Sequence, residues 1–403
     1  GRGRVISQEE LMDNGLYPVF SSQTQNNGCL GYINTFDFDC EQLTWTTDGA
    51  NAGTVFIRSG KHNCTNVCGT LQPITKNSNL KFSHYALQYA TQFHKRPDTN
   101  GAKIMNNEMA EISFALPPEQ EQFKIVEYLN HETAKIDHLI EKQQQLIELL
   151  KEKRQAVISH AVTKGLDPNS AMKDSGVEWL GEVPEHWEIK QNKYLLEFVT
   201  SGSRGWAQYY ADTGSLFFRI ANLTRDTIEP KLESIQYVEP PKGSEGERSK
   251  IKINDLLISI TADLGSVCVA DASIKDGYVS QHVALCRPIK ICVSRWLAYF
   301  ILSDCAKEQF LGSGYGGTKI QLSLEDIKEL IIAVPPRNEQ LQISEYIDEK
   351  LTQYEHLICQ AEKLIGTLQE RRTALISAAV TGKIDVRNWQ APSVTEAHTE
   401  LSA

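Results

Sequence analysis

Residues 116–167, LPPEQEQFKIVEYLNHETAKIDHLIEKQQQLIELLKEKRQAVISHAVTKGLD, and residues 334–385, VPPRNEQLQISEYIDEKLTQYEHLICQAEKLIGTLQERRTALISAAVTGKID, are one sequence written twice. The copies lie 218 positions apart and align without a gap, and 22 of the 52 aligned pairs are identical, Gln122 with Gln340 among them. Chance does not give this over so long a stretch, so the chain contains a duplicated module. An internal repeat constrains every later interpretation of a sequence.

Each copy predicts one long helix. The Pro-Pro that opens each copy is favourable in a first helical turn, and Gly165 and Gly382 lie near the ends, where a C-terminal cap is expected. A helix of roughly 45 residues, about 65–70 Å long at 1.5 Å per residue, follows. Because such a helix cannot bury its apolar stripe alone, we expect the two copies to pack antiparallel. The apolar residues recur every seven positions. In the first copy one line runs through Leu129, Ile136, Leu150 and Val157, with Leu139 and Leu146 on an adjacent line. In the second copy the line runs through Ile347, Tyr354, Ala361, Leu368 and Leu375, with Leu357 and Leu364 on the adjacent line.

The segments 1–116 and 190–333 are rich in strand-like runs bounded by Gly, Asn and Asp, such as 54–57, 256–260 and 267–269. They also resemble each other weakly, since GAKI at 101–104 parallels GTKI at 317–320 and each is followed by a predicted strand that leads into Pro-Pro. The sequence therefore predicts an α+β fold with two globular mixed α/β domains. Two long antiparallel coiled-coil helices separate them, in a pseudo-twofold internal repeat.

The predicted domain limits follow from the repeat. Aligning Gly15 with Gly214 places residue 1 near position 200 of the second copy, so we expect the first globular domain to be shortened at its N-terminus by roughly 25 residues relative to the second copy. The predicted parts are a first globular domain (1–116), a first spacer helix (117–167), a linker (168–189), a second globular domain (190–333), a second spacer helix (334–385) and a disordered tail (386–403).

Composition narrows the class of protein. The chain has 403 residues and a net charge of −10, and it contains no apolar run of 18 residues, which excludes a predicted membrane span. Nine irregularly spaced cysteines fit reduced thiols and a cytoplasmic location better than a disulfide framework. Cys64 and Cys68 form a CxxxC with no second pair of ligands, so we expect no metal site.

Catalytic motifs are missing from the sequence. GSGYGG at 312–317 lacks the spacing and the preceding strand of a nucleotide-binding loop, and no GxxxxGK[ST] phosphate loop is present. We therefore expect no catalytic residues in this chain and look for recognition chemistry.

Recognition residues concentrate in the turn-rich stretch 201–226 and the loop 312–320. Arginine can bind guanine O6 and N7, glutamine and asparagine can pair with adenine, and serine or threonine can contact bases or phosphates. The alternative is a set of polar surface loops without a partner. The candidate DNA-binding residues are Arg2, Arg4, Ser21, Gln23, Gln25, Ser201, Ser203, Arg204, Trp206, Gln208, Arg219, Asn222, Arg225, Tyr315, Thr318 and Lys319.

The chain resembles the specificity subunits of type I restriction–modification systems. The resemblance rests on Pro117-Pro118 and Pro335-Pro336 with the Glu-Gln that follows each, on SGVEWLGEVPEHWE at 175–188, and on the endings RQAVISHAVTKGLD and RTALISAAVTGKID. It implies a prokaryotic, cytoplasmic host-defence protein whose two target-recognition domains each read one half of a split double-stranded DNA target.

The resemblance also implies the partners. The spacer helices would dock two methyltransferase (modification) subunits, which use S-adenosylmethionine to methylate adenine. Restriction subunits that translocate DNA with ATP and Mg²⁺ would join them, and this chain would bind no cofactor itself. The first alternative is a coiled-coil scaffold protein with paired surface domains and no DNA specificity. The second is the specificity protein of a single-chain restriction–methyltransferase, but no methyltransferase domain fits in 403 residues.

The net charge of −10 and the modest basic patches predict that the chain alone binds DNA weakly, because such patches make few phosphate contacts. A gel shift on random DNA libraries should show a stable complex only when the modification subunit is added. Binding of a specific duplex at nanomolar affinity by the isolated chain would contradict this expectation.

Overall fold

The computed structural model describes residues 1–74, 79–99, 101–202, 204–240, 243–312 and 321–391. None of the helices in these ranges is both long and apolar enough to cross a membrane. The described residues form eight α-helices: α1 (Leu80–Ala90), α2 (Asn106–Ala110), α3 (Glu119–Lys164), α4 (Ser244–Arg248), α5 (Ser294–Leu302), α6 (Asp304–Gly312), α7 (Leu324–Glu329) and α8 (Arg337–Val380).

The chain folds as two compact units. Unit 1 comprises Gly1–Gln145 with Ala361–Ala403, and unit 2 comprises Leu146–Gln360. Both boundaries lie inside the long helices α3 and α8, so each unit contains one part of each helix. This division by contacts differs from the domain limits that the sequence suggests, which remain predictions.

Unit 1 contains three small sheets, with strand orders β2-β1-β7-β3, β6-β4-β8 and β5-β10-β9. Helix α1 packs beside the second of these, where Leu87 of α1 shares an apolar core with Leu43, Trp45 and Val55. The strands are β1 (Tyr17–Phe20), β2 (Cys29–Ile33), β3 (Phe38–Asp39), β4 (Gln42–Thr46), β5 (Asp48–Gly49), β6 (Val55–Arg58), β7 (Lys61–Cys64), β8 (Cys68–Leu71), β9 (Arg96–Asp98) and β10 (Gly101–Lys103).

Unit 2 contains two four-stranded sheets, ordered β14-β21-β18-β19 and β15-β17-β16-β20, and the two-stranded pairs β11-β12 and β13-β22. Strand β18 is completely buried, as is typical of a central strand. The strands are β11 (Met172–Asp174), β12 (Glu182–Pro184), β13 (Glu188–Gln191), β14 (Leu196–Ser201), β15 (Tyr210–Ala211), β16 (Ser215–Phe218), β17 (Tyr237–Val238), β18 (Leu256–Ser259), β19 (Val267–Val269), β20 (Tyr278–Val279), β21 (Val283–Pro288) and β22 (Ile331–Val334).

The sheets of the two units share one topology. Strand β4 lies between its antiparallel neighbours β6 and β8, as β18 lies between β19 and β21. Strand β1 pairs antiparallel with β2 and parallel with β7, as β16 pairs with β17 and β20. The weak similarity between the two globular segments therefore reflects one arrangement of strands present twice, and the predicted α+β fold is confirmed.

The predicted long helices are confirmed. They span 46 residues in α3 and 44 in α8. In unit 1 the start of α3, at Val126 and Leu129, shares a core with the end of α8, at Ile376 and Val380. In unit 2 the end of α3, at Ile158, shares a core with the start of α8. The two helices therefore run antiparallel within each unit.

The second line of the heptad pattern is not buried. Leu139 and Leu364 in unit 1 are 43% exposed, and Leu146 and Leu357 in unit 2 are 42% and 45% exposed. The line of leucines beside the seam therefore lies at the surface of both units. Two paired helices bury the residues along the single seam that joins them, and an adjacent line of side chains stays at the surface.

The strand predicted ahead of the first Pro-Pro does not form. Residues 112–118 have no regular structure, and Phe114 and Leu116 are 37% and 60% exposed. The equivalent strand β22 exists because it pairs with β13, from Glu188↔Val334 to Gln191↔Ile331. The described residues of unit 1 supply no strand that pairs with 113–116, so the same kind of sequence stays irregular there.

The beginning of the predicted disordered tail is ordered. Val386 is 3% exposed, and the ring of Trp389 lies edge-on to Tyr128 at a centroid distance of 5.4 Å and 5.2 Å from His131. The disorder expected from residue 386 was therefore wrong for 386–391, because these apolar side chains cover the start of α3. The rest of the tail, 392–403, lies outside the described residues.

A buried glutamine joins each globular part to its long helix. The Oε1 atoms of Gln122 and Gln340 accept hydrogen bonds from the backbone N–H groups of Asn79 and Val293, at 3.0 and 2.8 Å. Their Nε2 atoms donate to the carbonyl groups of Pro117 and Pro335, at 2.8 and 2.9 Å. Asn79 and Val293 are the N-cap residues immediately before the first residues of α1 and α5. One side chain therefore fixes the Pro-Pro turn and the start of a second helix together.

Gln340→Ala should destabilise unit 2, because it leaves the Val293 N–H and the Pro335 carbonyl without partners, and a buried unsatisfied group costs about 1–3 kcal/mol. The free energy of unfolding, measured by urea titration, should fall by that order. Gln353→Ala, on the exposed face of the same helix, is the matched control and should change it by no more than about 0.5 kcal/mol. Equal losses in both variants would rule out this role for Gln340.

Candidate nucleic-acid interface

A surface cleft of about 300 Å³ opens on unit 2 at the ends of strands β16 and β20. The two strands pair in parallel, with Phe217 opposite Tyr278 and Phe218 opposite Val279. Parallel strands end on the same side, so the residues that follow them come together. The cleft is lined by Gly205, Trp206, Ala207, Tyr210, Phe217, Arg219, Ile220, Ala221, Ser280, Gln281 and His282.

Aromatic rings form the base of this cleft. The indole of Trp206 stacks on Phe217, with ring centroids 5.8 Å apart, and lies 5.5 Å from the ring of Tyr278. Trp206 is only 3% exposed. Its ring belongs to a small core beside the turn at 205–209, whereas Tyr210 is exposed at the rim. A contact of Trp206 with DNA stays a prediction.

Two polar atoms in the cleft are buried and have no hydrogen-bond partner among the described residues. They are Arg219 Nε and Ser280 Oγ. A terminal nitrogen of Arg219 reaches Ser234 Oγ at 3.4 Å, and the Ser280 N–H donates to the Phe218 carbonyl at 2.8 Å. A buried polar atom without a partner costs about 1–3 kcal/mol, so both atoms have hydrogen-bonding capacity that a further polar group could use.

The equivalent positions of unit 1 differ. Thr65 donates its N–H to the Phe20 carbonyl at 2.8 Å, as Ser280 does to Phe218, so Ser21 and Thr65 take the places of Arg219 and Ser280. There Thr65 Oγ1 and Ser21 Oγ hydrogen-bond to each other at 3.1 Å. Unit 1 therefore satisfies internally the positions that unit 2 leaves open.

Most of the local positive charge is neutralised within unit 2. Lys190 pairs with Glu188, Lys193 lies 3.1 Å from Glu329, and Arg225 pairs with Asp263 and also donates to the Leu264 carbonyl. Arg204 is exposed, and neither it nor Arg219 has a carboxylate partner among the described residues. In the stretch from 190 to 225, these two arginines retain uncompensated charge beside the cleft.

Gln281 and His282 are cleft residues that the sequence did not single out. The Gln281 Nε2 and His282 Nε2 atoms are 2.9 Å apart, and His282 Nδ1 is 3.3 Å from Thr261 Oγ1. They lie 60 or more positions from Arg219 along the chain, and only the parallel pairing of β16 and β20 brings them near it. The turn 280–282 follows a strand-like run, which was the one usable signal.

The other candidates in unit 2 have different surroundings. Asn222 is 1% exposed. Its side chain accepts a hydrogen bond from the Arg219 N–H and donates to the carbonyl groups of Lys231 and Ser234, all at 2.9 Å. It therefore holds the shape of the loop. Arg225 is held by Asp263. Ser201 is half-buried at the end of β14, and Gln208 is exposed. Ser203, Tyr315, Thr318 and Lys319 lie outside the described residues.

Most of the candidate DNA-binding side chains of unit 1 form hydrogen bonds or ion pairs with other residues of unit 1. Arg2 Nε donates to Asn106 Oδ1 at 3.3 Å, and Arg4 forms ion pairs with Glu10 at 2.8 Å and Asp37 at 3.3 Å. Gln23 donates to the Cys29 carbonyl. Gln25 is exposed at the start of a turn in which Asn26 and Asn27 have positive φ. The structure therefore brings no open cluster together from Arg2, Arg4, Ser21, Gln23 and Gln25.

The cleft brings together aromatic rings, Arg219 and the polar side chains of Ser280, Gln281 and His282, and the exposed Arg204 lies beside it. Residues 1–149 and 234–356 match the family described as the type I restriction modification DNA specificity domain. These stretches cover more than half of the chain, and the chain belongs to this family. The predicted family membership is confirmed. No group of three or more His, Cys, Asp or Glu side chains in the described part of the chain is placed to hold a metal ion.

Relatives and solved structures agree with this assignment. The chain is 43% identical over 129 residues to a type I specificity subunit of Mycoplasma pneumoniae, which covers 32% of this chain and 35% of the relative. It is 39% identical over 129 residues to the specificity subunit of the type I restriction enzyme MpnII of the same organism, with 32% and 39% covered. The alignments thus span little more than a third of these two relatives.

A chain of a solved type I restriction–modification system superimposes with a TM-score of 0.67 at 16% identity, over 85% of this chain and 82% of the other. At that identity, the likeness supports the fold alone.

Arg219→Ala and Arg204→Ala should weaken recognition of one half-site by about 1–3 kcal/mol each, because each removes a donor fork that can bind a base edge or a phosphate. Sequencing of methylated adenines in a host that carries each variant should show relaxed preference in one half of the target and an unchanged other half. Arg225→Ala, whose guanidinium is already paired, is the matched control and should leave both halves unchanged. If both test variants methylate the genome as the parent does, these arginines are surface residues only.

Proposed function

We propose that this chain is the non-catalytic DNA-sequence-recognition subunit of a type I restriction–modification complex. Each of its two recognition domains reads one half of a bipartite double-stranded DNA target. The observation that carries the proposal is the unit 2 cleft, where Arg219 Nε and Ser280 Oγ have no hydrogen-bond partner among the described residues and lie beside the half-buried Gln281 and the exposed His282.

The cleft has the chemistry that base reading requires. The Arg219 guanidinium can donate to guanine O6 and N7, and the Gln281 amide can both donate and accept, as adenine demands. Arg204, exposed one residue before the cleft, can bind a backbone phosphate and set the register of the domain on the duplex. A few such contacts fix sequence preference, although the net charge of the chain is −10.

We assign docking of two methyltransferase subunits to the spacer helices. Unit 1 exposes Leu139 and Leu364 on its helix pair, and unit 2 exposes Leu146, Leu149 and Leu357 on its own. Exposed leucines in rows along a helix are typical of a protein–protein contact. Because the helix sequence is duplicated, the surface occurs twice and fits two copies of one partner.

Catalysis belongs to the partners in this proposal. The methyltransferase subunits use S-adenosylmethionine, and the restriction subunits use ATP and Mg²⁺. This chain contributes the choice of DNA sequence and binds none of these cofactors.

A coiled-coil scaffold with paired surface domains is the second candidate, and the exposed leucines fit it equally well. A scaffold, however, gives no reason for two neighbouring polar atoms, Arg219 Nε and Ser280 Oγ, that have no partner among the described residues. The unit 2 cleft therefore favours recognition over a purely structural role.

The helices should set the number of unread bases between the two half-sites. Inserting four residues after Gln143 and four after Ala361 adds about 6 Å to each helix at 1.5 Å per residue, which is near two base pairs. Four residues are also about one turn, so the apolar seam stays close to its original face. Sequencing of methylated adenines should show the same half-sites separated by one or two additional base pairs.

The control places the insertion in one helix only, which shifts the seam of that helix against its partner and should abolish activity. An active variant with both insertions and an unchanged spacer would show that the helices do not determine the distance, and that part of the proposal would fail.

A further inference from the structure

The loop 21–28 of unit 1 takes the place that the cleft-forming residues take in unit 2. It begins where β1 ends and leads into β2, which pairs antiparallel with β1. In unit 2 the residues after β16, from Arg219 onward, contribute to the cleft, and the chain returns in β17, which pairs antiparallel with β16. The loop 21–28 therefore lies at the end of its sheet that corresponds to the proposed DNA-binding end of unit 2.

The tip of this loop has an unusual backbone conformation. Asn26 and Asn27 have φ values of 50° and 53°, and Gly28 has a φ of 77°. Residues with a side chain rarely adopt this left-handed conformation, although asparagine tolerates it better than most. Such residues persist only where their surroundings hold them, and they cluster at binding and active sites. The tip therefore needs support from the rest of unit 1.

The first half of the loop is tied to unit 1 by hydrogen bonds. They run from the Ser21 N–H to the Gly28 carbonyl at 3.0 Å, from Ser22 Oγ to the Val67 carbonyl, from Gln23 Nε2 to the Cys29 carbonyl, and from Asn51 Nδ2 to Thr24 Oγ1 at 3.2 Å. Gln25, Asn26 and Asn27 differ from these residues. All three are exposed, and the described part of the chain supplies no hydrogen-bond partner for their side-chain amides.

Arg58 holds the tip of the loop from inside unit 1. It is 3% exposed, and its guanidinium lies over the rings of Phe20 and Phe56, at 3.6 and 4.4 Å from their centroids. One terminal nitrogen donates to the Asn27 carbonyl at 2.8 Å. The other lies 2.8 Å from the point that a Cβ atom on Gly28 would occupy, so a side chain there would displace the guanidinium. The left-handed tip is therefore fixed against a buried group.

Unit 2 shows that the sheet itself does not need this arginine. The pairing of β6 with β4 and of β19 with β18 places Ala270 at the position of Arg58. Ala270 is 1% exposed and belongs to an apolar cluster with Phe218, the counterpart of Phe20. The strands therefore form with a small apolar side chain at this position, and the contacts that set Arg58 apart are those with the loop 21–28.

We propose that the exposed amides of Gln25, Asn26 and Asn27 read the half-site that belongs to unit 1, and that Arg58 is the positioning residue that holds them. The inference rests on the proposed function and adds the reading groups of unit 1 and the base that they select. A side-chain amide both donates and accepts a hydrogen bond, which matches the N6 and N7 edge of adenine in the major groove. Two bonds to one base form together only if the amide is held in position, and the fixed tip provides this.

The loop differs from its unit 2 counterpart in the groups that it presents. Unit 2 places the Arg219 guanidinium directly after its strand, where it can bind guanine O6 and N7. In unit 1 the same position is Ser21, whose hydroxyl is bonded to that of Thr65 at 3.1 Å. The reading groups of unit 1 therefore lie further along the loop, and they are amides. This difference predicts unlike half-sites, with adenine read by the tip in unit 1.

The test sequences methylated adenines in a host that carries the full chain and its modification subunit. Asn26→Gly and Asn27→Gly each remove one amide, while glycine keeps the left-handed backbone. Each should relax the preference for adenine in one half-site and leave the other half-site unchanged. Methylation of sites with a wrong base there should rise about 5- to 150-fold relative to correct sites, which is the discrimination of one bidentate contact.

Asn34→Gly is the matched control for the two glycine variants. Asn34 is also an exposed asparagine of unit 1, but it follows the opposite end of β2. This variant should methylate the same two half-sites as the parent, with the same preference at every position.

Arg58→Met tests the positioning role, because methionine can occupy the space beside Phe20 and Phe56 but donates no hydrogen bond. It should relax the same positions of the same half-site as Asn27→Gly. Combining the two changes should add little, because both act on one contact. An arginine with a structural role alone would instead lower the thermal midpoint and the total methylation and leave the base preference unchanged. If Arg58→Met does not fold, the two glycine variants still decide the assignment of the amides.

The outcomes separate this inference from the proposed function. A parent that methylates a two-part motif, together with glycine variants of unchanged base preference, would overturn the inference and leave the proposed function standing. Relaxed preference in both half-sites at once would also overturn it, because the loop tip belongs to unit 1 alone. A parent without a motif that depends on the chain would overturn both.

Discussion

An apolar seam on a helix of more than 40 residues must be covered, and this constraint shapes the whole chain. Each buried leucine or isoleucine on the seam contributes about 1.5–3 kcal/mol only if a partner removes it from water. The partner is the second copy of the same helix, which runs antiparallel in both units. Since each unit takes one part of each helix, neither globular part can complete its core from its own contiguous sequence.

The buried glutamines extend this constraint from the helices to the sheets. Gln122 and Gln340 connect the Pro-Pro turn with the N-cap residue of a neighbouring helix in the same way. Both positions belong to the duplicated segment, so the connection was copied along with the helix. The side chains that differ between the two units lie outside the duplicated segment, at the ends and in the interior of the sheets.

Two differences between the copies carry the functional argument. In unit 2 the Arg219 Nε and Ser280 Oγ atoms have no hydrogen-bond partner among the described residues, where unit 1 joins Ser21 to Thr65. Unit 1 ties the loop 21–28 to a buried Arg58 where unit 2 has Ala270. Because the two units share one strand topology, the residues that differ between them are not required by the fold.

The repeat, the long helices and the α+β class could be predicted because they depend on periodicity and on proline and glycine at helix ends, which are local properties. The exposure of Leu139 on α3 and of Leu357 on α8 could not be predicted, since a heptad pattern does not show how many neighbouring helices pack against a helix. Of the residues that line the cleft, the sequence singled out only Trp206 and Arg219. Gln281 and His282 escaped notice because a parallel strand pair joins segments that are far apart in sequence. The burial of Asn222 and Trp206 could not be predicted, because polar and aromatic residues in loops also serve as internal supports.

The central claim is that one chain with two related recognition domains specifies one two-part DNA sequence. The most direct measurement is to express the chain with its modification subunit in a host that lacks both, and to sequence the methylated adenines of that genome. The account predicts a single motif made of two short defined sequences separated by a fixed number of unspecified bases, absent when the chain is omitted. Methylation that does not depend on the chain, or a motif without an unspecified interior, would contradict it.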